Sequence, residues 1–268
     1  MCLQEKMGIV SQRELAPDIF EMKLSGKLVQ KMKQAGQFLH IRVPREDLLL
    51  RRPISLAQID QQAGICTIIY RVEGLGTEVF SKMKPGDSLD VLGPLGNGFD
   101  TSFVNRGSTV LILGGGIGVP PLYELSKQFV NRGVKVVHLL GFATSEVIFY
   151  EKEFRLLGET RISTDDGSYG VKGHVGTLLE ELETENFLPD AVYACGSDGL
   201  LKMVDEKFAQ HPAAFISMES RMACGIGACY ACVCYEKGDV TQKRSRKICD
   251  QGPVFKIGEV VISDSSRL

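Results

Sequence analysis

The first hundred residues contain short runs in which apolar and polar positions alternate. One such run is "FLHIRV" at 38–43, and turn sequences such as "KPGD" and "GPLGNG" separate the runs. Alternation with a period of two, punctuated by glycine and proline, predicts a small antiparallel barrel or sandwich. One helix is expected within it at "GTEVFSKM", where Val79, Phe80 and Met83 share a face. Thr77 is expected to cap the start of this helix.

Between about residue 105 and residue 218 the pattern changes to continuous apolar runs that alternate with helix-like segments. The predicted strands are 109–113, 134–140, 159–164, 191–195 and 214–218, and the predicted helices are 120–132, 146–157, 175–185 and 198–210. Such runs fit strands that are buried on both faces, so they predict a doubly wound parallel sheet covered by helices. Ligands of these sheets bind beyond the carboxyl ends of the strands.

From Glu219 onwards glycine, cysteine and charged residues dominate, and large apolar residues are too few for an independent core. A bound metal is therefore expected to hold this part together. The overall prediction is a multidomain β + α/β protein: an antiparallel β-barrel over 1–104, a doubly wound parallel α/β domain over 105–218 and a small C-terminal cysteine-rich module over 219–268.

Composition narrows the class of protein further. Hydrophobic residues make up 44% and charged residues 24% of the 268 residues, the mix of an ordinary globular protein. The formal net charge of -2 gives no general attraction to nucleic acid or to acidic membranes, so neither is expected as a partner. No apolar run reaches about 18 residues and no signal peptide is evident, which predicts a cytoplasmic protein. Clustered cysteines in that reducing compartment more often bind metal than form disulfides.

Four cysteines have the spacing of a plant-type [2Fe–2S] loop. Cys224-x4-Cys229-x2-Cys232 is followed by Cys249, and the intervening "GIGA" lets a loop turn sharply around a cluster. A structural zinc site is the alternative, but zinc modules favour two separate C-x2-C pairs. Cys234 is expected to pack as a small hydrophobe, because the x2 spacing from Cys229 selects Cys232 as the ligand.

A glycine-rich turn joins a predicted strand to a predicted helix at "TVLILGGGIGVPP". Gly115, Gly116 and Gly118 let a backbone approach a pyrophosphate, and the helix start favours its charge. Pro120 and Pro121 fall in the first helical turn, where proline is tolerated. A turn that merely packs tightly is the alternative, although the strand–turn–helix context favours dinucleotide binding.

Two further segments follow strands of the same predicted sheet. "ACGSDG" places Cys195 and Gly196 at the edge of the glycine loop, where the reactive end of a dinucleotide could lie; a buried strand cysteine is an equal alternative. Asp165 and Asp166 follow the third strand of this domain and would disfavour a 2′-phosphate, which favours NAD over NADP.

The barrel carries two candidate phosphate-binding motifs. In "RRPISL", Arg52 could neutralise a phosphate and Ser55 could donate a hydrogen bond; in "GLGT", the backbone of Gly76 and Thr77 could hold a second phosphate at a helix start. Neither motif is specific alone, since the first also fits a solvated turn and the second a capped helix start.

Taken together, "RPIS", "GLGT", "GPLGNGF", "GGGIGVPP", "ACGSDG" and "MACGIGACYAC" resemble the ferredoxin–NADP reductase superfamily over nearly the whole chain. Within it the chain is most similar to the electron-transfer subunits of NAD-dependent dihydroorotate dehydrogenase. The resemblance implies an FAD site at Arg52, Pro53, Ile54, Ser55, Ile69, Tyr70, Arg71, Gly76 and Thr77. It implies cluster ligands at Cys224, Cys229, Cys232 and Cys249. Ile54 stands where many members place a flavin-stacking tyrosine, so stacking must be weaker or come from another residue.

The resemblance also implies a function. FAD would lie between the barrel and the α/β domain, near a nicotinamide held by the glycine loop and by Cys195 and Gly196. Hydride would pass between nicotinamide C4 and flavin N5, and the cluster would carry single electrons. The implied partner is an FMN subunit that oxidises dihydroorotate to orotate with NAD+ as final acceptor, in a heterotetramer of two of each subunit.

No side chain is expected to act as a catalytic acid or base. The histidines His40, His138, His174 and His211 show no metal-binding or acid–base spacing, so structural or surface roles are expected. The basic run "KRSRK" at 243–247 lies near the predicted cluster, and a solvated loop is slightly favoured over a docking patch for an acidic partner.

Two other functions stay open at this stage. The chain could be a reductase subunit of another complex that exchanges electrons between NAD(H) and ferredoxin, since such subunits share almost every motif. It could also be a non-enzymatic redox or metal sensor, although the flavin and dinucleotide motifs argue against that.

Overall fold

Six antiparallel strands close into a barrel in the first part of the chain, in a computed structural model that describes residues 3–262. The strands are β1 (Leu3–Ala16), β2 (Ile19–Ser25), β3 (Phe38–Ile41), β4 (Arg52–Asp60), β5 (Ile65–Arg71) and β6 (Ser88–Leu95). Their order around the barrel is β1-β2-β5-β4-β3-β6. Alternating residues of these strands point inwards and fill the barrel with a core that includes Met7, Met22 and Leu24. The predicted antiparallel barrel is confirmed.

A mostly parallel sheet with helices on its faces forms the middle of the chain. Its elements are β7 (Thr109–Gly115), α2 (Val119–Asn131), β8 (Lys135–Phe142), α3 (Glu151–Arg155), β9 (Glu159–Thr164), β10 (Val171–Lys172), α4 (Val175–Thr184), β11 (Ala191–Cys195), α5 (Asp198–Lys207) and β12 (Ala214–Ser217). The sheet order is β10-β9-β8-β7-β11-β12, all parallel, with a further strand beyond β12. Each predicted strand of this part therefore exists, and the predicted doubly wound sheet is confirmed.

The C-terminal part has little regular structure of its own. A two-stranded ribbon pairs β13 (Val233–Tyr235) with β14 (Ser245–Lys247), and β15 (Val254–Lys256) pairs antiparallel with β12. Ile248 and Phe255 belong to the same buried cluster as Ile216 of β12. The segment thus shares its core with the nucleotide sheet, which fits its shortage of apolar residues. The expectation that a bound metal holds it together stays a prediction. The domain boundaries at 104/105 and 218/219 stay predictions.

Two helices differ from their prediction. The helix expected over 146–157 shortens to α3, preceded by a 3-10 turn at Ser145–Val147, because Tyr150 adopts a left-handed φ of 60° and interrupts the helix. The barrel helix α1 (Leu75–Ser81) has Gly74 as its N-cap, so the prediction that Thr77 caps it was wrong in position. The Thr77 hydroxyl nevertheless accepts hydrogen bonds from the N–H groups of Glu73 and Gly74 at the helix start.

Within residues 3–262 we find no helix that combines the length and the apolar character needed to cross a bilayer.

Candidate functional site

A cavity of about 670 Å³ opens between the barrel and the nucleotide sheet. The barrel contributes all nine residues of the expected FAD site to its wall: Arg52, Pro53, Ile54, Ser55, Ile69, Tyr70, Arg71, Gly76 and Thr77. Ile117 and Pro120 face them from the start of α2, and Met218 to Met222 and Pro253 close the third side. The structure therefore brings the barrel motifs together, and their assignment to FAD stays a prediction.

Arg52 and Gly76 depend on each other geometrically. The Arg52 guanidinium donates to the Leu50 carbonyl at 2.7 Å and lies across the start of α1. A Cβ at Gly76 would lie 2.5 Å from Nε of Arg52, so the guanidinium fits there because residue 76 has no side chain. A cation and the free backbone N–H groups of a helix start thus face the same wall of the cavity, an arrangement that suits a phosphate.

Tyr70 contributes less ring surface to the cavity than its motif implied. Its ring is 1% exposed and packs against Phe20 and Phe80, and its hydroxyl donates to Oε1 of Gln12 at 3.1 Å. Burial raises the pKa of this phenol. Tyr70 is therefore anchored in the barrel core, and little of its surface is free to stack on a flavin in place of Ile54.

The glycine loop and the end of β11 touch through their backbones. A Cβ at Gly118 would lie 2.5 Å from the Gly196 nitrogen and 2.6 Å from the Cys195 carbonyl carbon, and a Cβ at Gly115 would lie 3.8 Å from the Gly196 Cα. Gly116 has a left-handed φ of 50°. These residues stand beside the cavity wall, next to Ile117, rather than in it. The two motifs that the sequence placed at one sheet edge are therefore adjacent, and their nicotinamide contacts stay predictions.

Glu219 lines the cavity and was missed by the sequence analysis. Its carboxyl is open to the solvent of the cleft but crowded by protein on its other sides, and this partial desolvation raises its pKa to about 6. Burial, reinforced by the charge of Glu219, raises the pKa of the Cys195 thiol as well. The available signal was its place directly after the last parallel strand, at the carboxyl edge where ligands bind.

The four cysteines of the predicted cluster site form two adjoining pairs. The thiols of Cys224 and Cys229 interact with each other, and so do those of Cys232 and Cys249. Backbone N–H groups donate to the sulfurs: Ile226 to Cys224 at 3.4 Å, Gly227 to Cys249 at 3.1 Å and Cys249 to Cys232 at 3.4 Å. Gly225 and Gly227 have left-handed φ angles of 74° and 78°, as the sharp turns of "GIGA" predicted.

This donor set fits an iron–sulfur cluster. Burial tends to raise the pKa of Cys224, but the N–H of Ile226 and the thiol of Cys229 outweigh it and bring that pKa to about 6. Burial and the neighbouring Cys232 raise the pKa of Cys249 to about 12, so this ligand needs a metal to hold it as thiolate. Among residues 3–262 no three His, Cys, Asp or Glu side chains converge on one point as a single ion requires. A [2Fe–2S] cluster is held by four thiolates of this kind, and the ligand assignment stays a prediction.

Three other residues considered in the sequence analysis are buried in the protein interior. Cys234 is buried on β13, as expected of a small hydrophobe. His138 is buried between the hydroxyls of Thr160 and Ser126 at 3.0 Å each, whereas His40 is buried with neither ring nitrogen hydrogen-bonded. Burial lowers the pKa of both imidazoles to about 4.

The charged candidates lie at the surface. In the basic run, Arg244 and Arg246 pair with Glu236, and Lys247 donates to the Gly227 carbonyl at 3.1 Å. These local bonds favour a structured loop over a free docking patch. Asp165 and Asp166 are exposed in the turn after β9, where they were expected.

Comparisons with known proteins give matches both for the barrel that lines the cavity and for the segment that carries the four cysteines. Residues 6–99 match the family model of an oxidoreductase FAD-binding domain, and residues 219–261 match that of the iron–sulfur cluster binding domain of dihydroorotate dehydrogenase B. The chain is 59% identical to the dihydroorotate dehydrogenase B (NAD(+)) electron transfer subunit of Enterococcus faecalis, over 97% of this chain and 98% of that one. It is 53% identical to the subunit of the same name from Streptococcus mutans, over 98% and 100% of the two chains.

Solved structures show the same fold. A chain from the structure of an NADH-dependent reduced ferredoxin–NADP oxidoreductase, described in connection with flavin-based electron bifurcation, superposes with a TM-score of 0.84 at 28% identity, over 96% of this chain and 90% of that one. A ferredoxin NADP+ reductase from Neisseria gonorrhoeae with bound FAD and NADP superposes with a TM-score of 0.65 at 17% identity, over 81% and 94%. At that identity the second likeness concerns the fold alone.

Proposed function

The chain belongs to the family of electron transfer subunits of NAD-dependent dihydroorotate dehydrogenase B, and from that premise we propose how its own residues perform the transfer. It is an oxidoreductase subunit that uses FAD, a [2Fe–2S] cluster and NAD, and it works with a catalytic dehydrogenase subunit. FAD exchanges two-electron hydride chemistry for one-electron chemistry, and the cluster carries the single electrons.

The barrel wall holds the FAD. Arg52 neutralises one phosphate, and the backbone of Gly76 and Thr77 at the start of α1 binds a second one through N–H groups. Pro53, Ile54 and Ile69 give the wall apolar surface that excludes water from the isoalloxazine. The other three residues of the site are Ser55, Tyr70 and Arg71.

The glycine loop beside the opposite wall of the cavity receives the dinucleotide. Gly115, Gly116 and Gly118 let the backbone approach the pyrophosphate, and Cys195 and Gly196 flank the nicotinamide. Exposed Asp165 and Asp166 disfavour a 2′-phosphate and so favour NAD.

One observation carries this proposal: a single chain segment lines the cavity and then supplies the first cluster ligand. Met218 to Met222 form part of the cavity wall, and Cys224 follows two residues later. After the last cluster cysteine the chain returns to the cavity, because Pro253 lines it four residues after Cys249. Flavin and cluster are thereby held as neighbours, and Cys229, which is exposed, puts the cluster loop within reach of the partner.

The experiment uses the complex of this chain with its dehydrogenase subunit, purified without oxygen. We expect about two irons per FAD, bleaching of the flavin by NADH, and formation of NADH when dihydroorotate is added with NAD+. Colourless protein that contains zinc would refute the proposal. Two copies of each subunit are expected in the complex, and gel filtration with light scattering measures that number.

A reductase that exchanges electrons with ferredoxin is the second candidate, and the likeness at 28% identity to a ferredoxin-linked structure favours it. The same purified protein distinguishes the two, because a ferredoxin reductase bleaches with NADH but does not respond to dihydroorotate. We also propose that the chain works in the cytoplasm, where its free cysteines stay reduced.

A further inference from the structure

His40 is a buried side chain whose hydrogen-bonding capacity is unused. It lies on β3 opposite Pro53 of β4, its exposed fraction is 0%, and neither Nδ1 nor Nε2 has a hydrogen-bond partner. A neutral imidazole carries one donor and one acceptor, and leaving a buried donor unpaired is costly. His138 shows the usual solution, because hydroxyls flank both of its nitrogens.

The Nδ1 side of the His40 ring faces the cysteine loop. A Cβ at Gly225 would lie 2.4 Å from Nδ1 and 3.2 Å from Cγ of His40, so the ring packs directly on the backbone of residue 225. The backbone carbonyls of Cys224 and Arg51 also face the ring, although they fall short of hydrogen-bond geometry. Gly225 has a left-handed φ of 74°, so glycine is required there both by its torsion angle and by the imidazole.

His40 also stands between the two redox sites. Its strand partner Pro53 lines the cavity, and the loop on which its ring packs begins two residues after Met222, which lines the same cavity. Two contacts therefore connect the barrel wall of the cavity to the residue after the first cluster ligand. His40 pairs with Pro53 across two strands, and its ring packs on Gly225.

We propose that His40 is a positioning residue for the cluster: it holds the Cys224–Gly225 segment against the barrel and directs a ring N–H towards that segment when a cluster is bound. The inference rests on the proposed function, because it requires a cluster at these cysteines. The positive end of a buried N–H dipole beside an anionic cluster favours the reduced state, which carries one more negative charge. His40 therefore raises the reduction potential of the cluster.

The test compares His40→Leu and His40→Asn in the complex with the dehydrogenase subunit. Asparagine can place its amide nitrogen where Nδ1 stands and keep a donor, whereas leucine fills the space without one. His138→Leu is the matched control, because it removes an equally buried imidazole that lies outside the loop contact. The readouts are iron content, the visible circular dichroism of the cluster and an EPR-monitored redox titration.

We expect His40→Leu to make cluster reduction about tenfold less favourable, which is about 59 mV for a one-electron couple, and to alter the dichroism spectrum. His40→Asn should restore most of both signals, and His138→Leu should lower thermal stability without moving the potential. Loss of iron from the leucine variant alone would also support the positioning role. Equal potentials in all four proteins, or equal iron loss in both His40 variants, would overturn it.

The wild-type complex separates this inference from the proposed function. Wild-type protein without a [2Fe–2S] spectrum would overturn both. Wild-type protein with that spectrum and with dihydroorotate-dependent NADH formation upholds the function, whatever the His40 variants show.

Discussion

At the scale of single residues, two positions of the site need glycine because a neighbouring group occupies the space that a side chain would fill. Gly76 makes room for the end of a flexible side chain, the Arg52 guanidinium, whereas Gly118 makes room for the backbone of Cys195 and Gly196. A guanidinium can move aside and a paired strand end cannot. The same substitution should therefore have different consequences at the two positions.

Replacing Gly76 with alanine should weaken FAD binding and leave protein stability nearly unchanged. The added methyl group displaces the guanidinium, and losing one charged hydrogen bond costs about 1.5–3 kcal/mol, or roughly 10- to 100-fold in affinity. Fluorescence titration of FAD into the flavin-free protein measures this. In an Arg52→Gln background the Gly76→Ala effect should vanish, and a full additional loss there would contradict the explanation.

Replacing Gly118 with alanine should destabilise the fold by about 1–3 kcal/mol, because backbone atoms at 2.5 Å and 2.6 Å must shift. NADH-dependent flavin reduction should slow as well. Urea unfolding followed by far-ultraviolet circular dichroism is suitable, since the chain has no tryptophan. Gly199→Ala is the control, because its nearest neighbour lies 3.9 Å from the added atom; equal losses in both variants would refute the steric argument.

Glu219 should make NAD+ affinity depend on pH. Its pKa of about 6 means that the cleft is neutral there at pH 5 and negatively charged at pH 7. The oxidised nicotinamide ring is cationic, so NAD+ affinity should rise roughly fivefold across this range, the effect of about 1 kcal/mol. NADH, whose ring is neutral, should show little change. Titrations of Glu219→Gln should be flat for both, and a persisting slope would assign the effect to another group.

At the scale of elements, the segment that follows Cys249 is hydrogen-bonded to the barrel residues 93–98. Asn97 donates from its backbone to the Gly252 carbonyl at 2.7 Å and from its side chain to the Gln251 carbonyl at 3.1 Å. The segment that carries Cys249 is therefore fastened to the barrel. The ribbon of β13 and β14 pairs with no other described strand, and outside contacts hold it at one end: the Val261 N–H donates to the Tyr235 carbonyl at 2.8 Å, and Lys237 forms an ion pair with Asp205.

Removing the iron should release that ribbon and leave both larger parts folded. Without metal the buried thiols lose their ligand bonds, whereas β15 keeps its pairing with β12. Trypsin should then cut within 237–247 at least tenfold faster than in the iron-loaded protein, and mass spectrometry of the fragments locates the cuts. Equal cleavage rates with and without iron would show that the protein contacts of the ribbon hold it without the metal.

The sequence predicted those elements whose patterns are local. Buried runs such as 191–195 matched their strand because apolar continuity and length determine it. The helix expected over 146–157 was overestimated, since the left-handed Tyr150 that shortens it is held by tertiary contacts: its hydroxyl bonds to Glu21 and Gln58 of the barrel. Helical periodicity is a local pattern, so it cannot predict a hydrogen bond between two distant parts of the chain.

The site was predictable to the extent that motifs carry its chemistry. Glycines and cysteines have spacing that a ligand dictates, so the sequence alone singled out the motifs that line the cavity and the four clustered cysteines, and their roles stay predictions. Glu219 and His40 were not, because a single glutamate or histidine has no spacing to reveal it. Their significance comes from what lies opposite them in the fold, Cys195 in one case and Gly225 in the other.

At the scale of the whole molecule, the cluster loop presents apolar side chains around its most accessible ligand. Ile226 is 50% exposed and Tyr230 is 62% exposed, and they flank Cys229 in the sequence. Lys247 lies 5.1 Å from the Tyr230 ring centre and fixes the ring at the surface. Exposed aromatic and aliphatic residues beside a redox centre suit contact with a partner protein.

Tyr230→Glu should therefore slow electron delivery from the dehydrogenase subunit about tenfold or more, since it places a charge where an aromatic contact is expected. Flavin reduction by NADH should stay normal, because it does not involve the partner. Stopped-flow spectroscopy separates the two steps. Leu156→Glu, at a residue 86% exposed on the nucleotide domain, is the control, and equal slowing in both variants would exclude a specific contact.

The pairing of β15 with β12 has a consequence for how a ribosome makes this protein. Val254–Lys256 is the last of the described strands in chain order, so the edge of β12 stays open while the residues between them are being translated. An open strand edge invites pairing with other chains. The newly made protein is thus exposed to self-association until β15 has been translated. Because β15 keeps its pairing with β12 without metal, this exposure should not depend on the supply of iron–sulfur clusters.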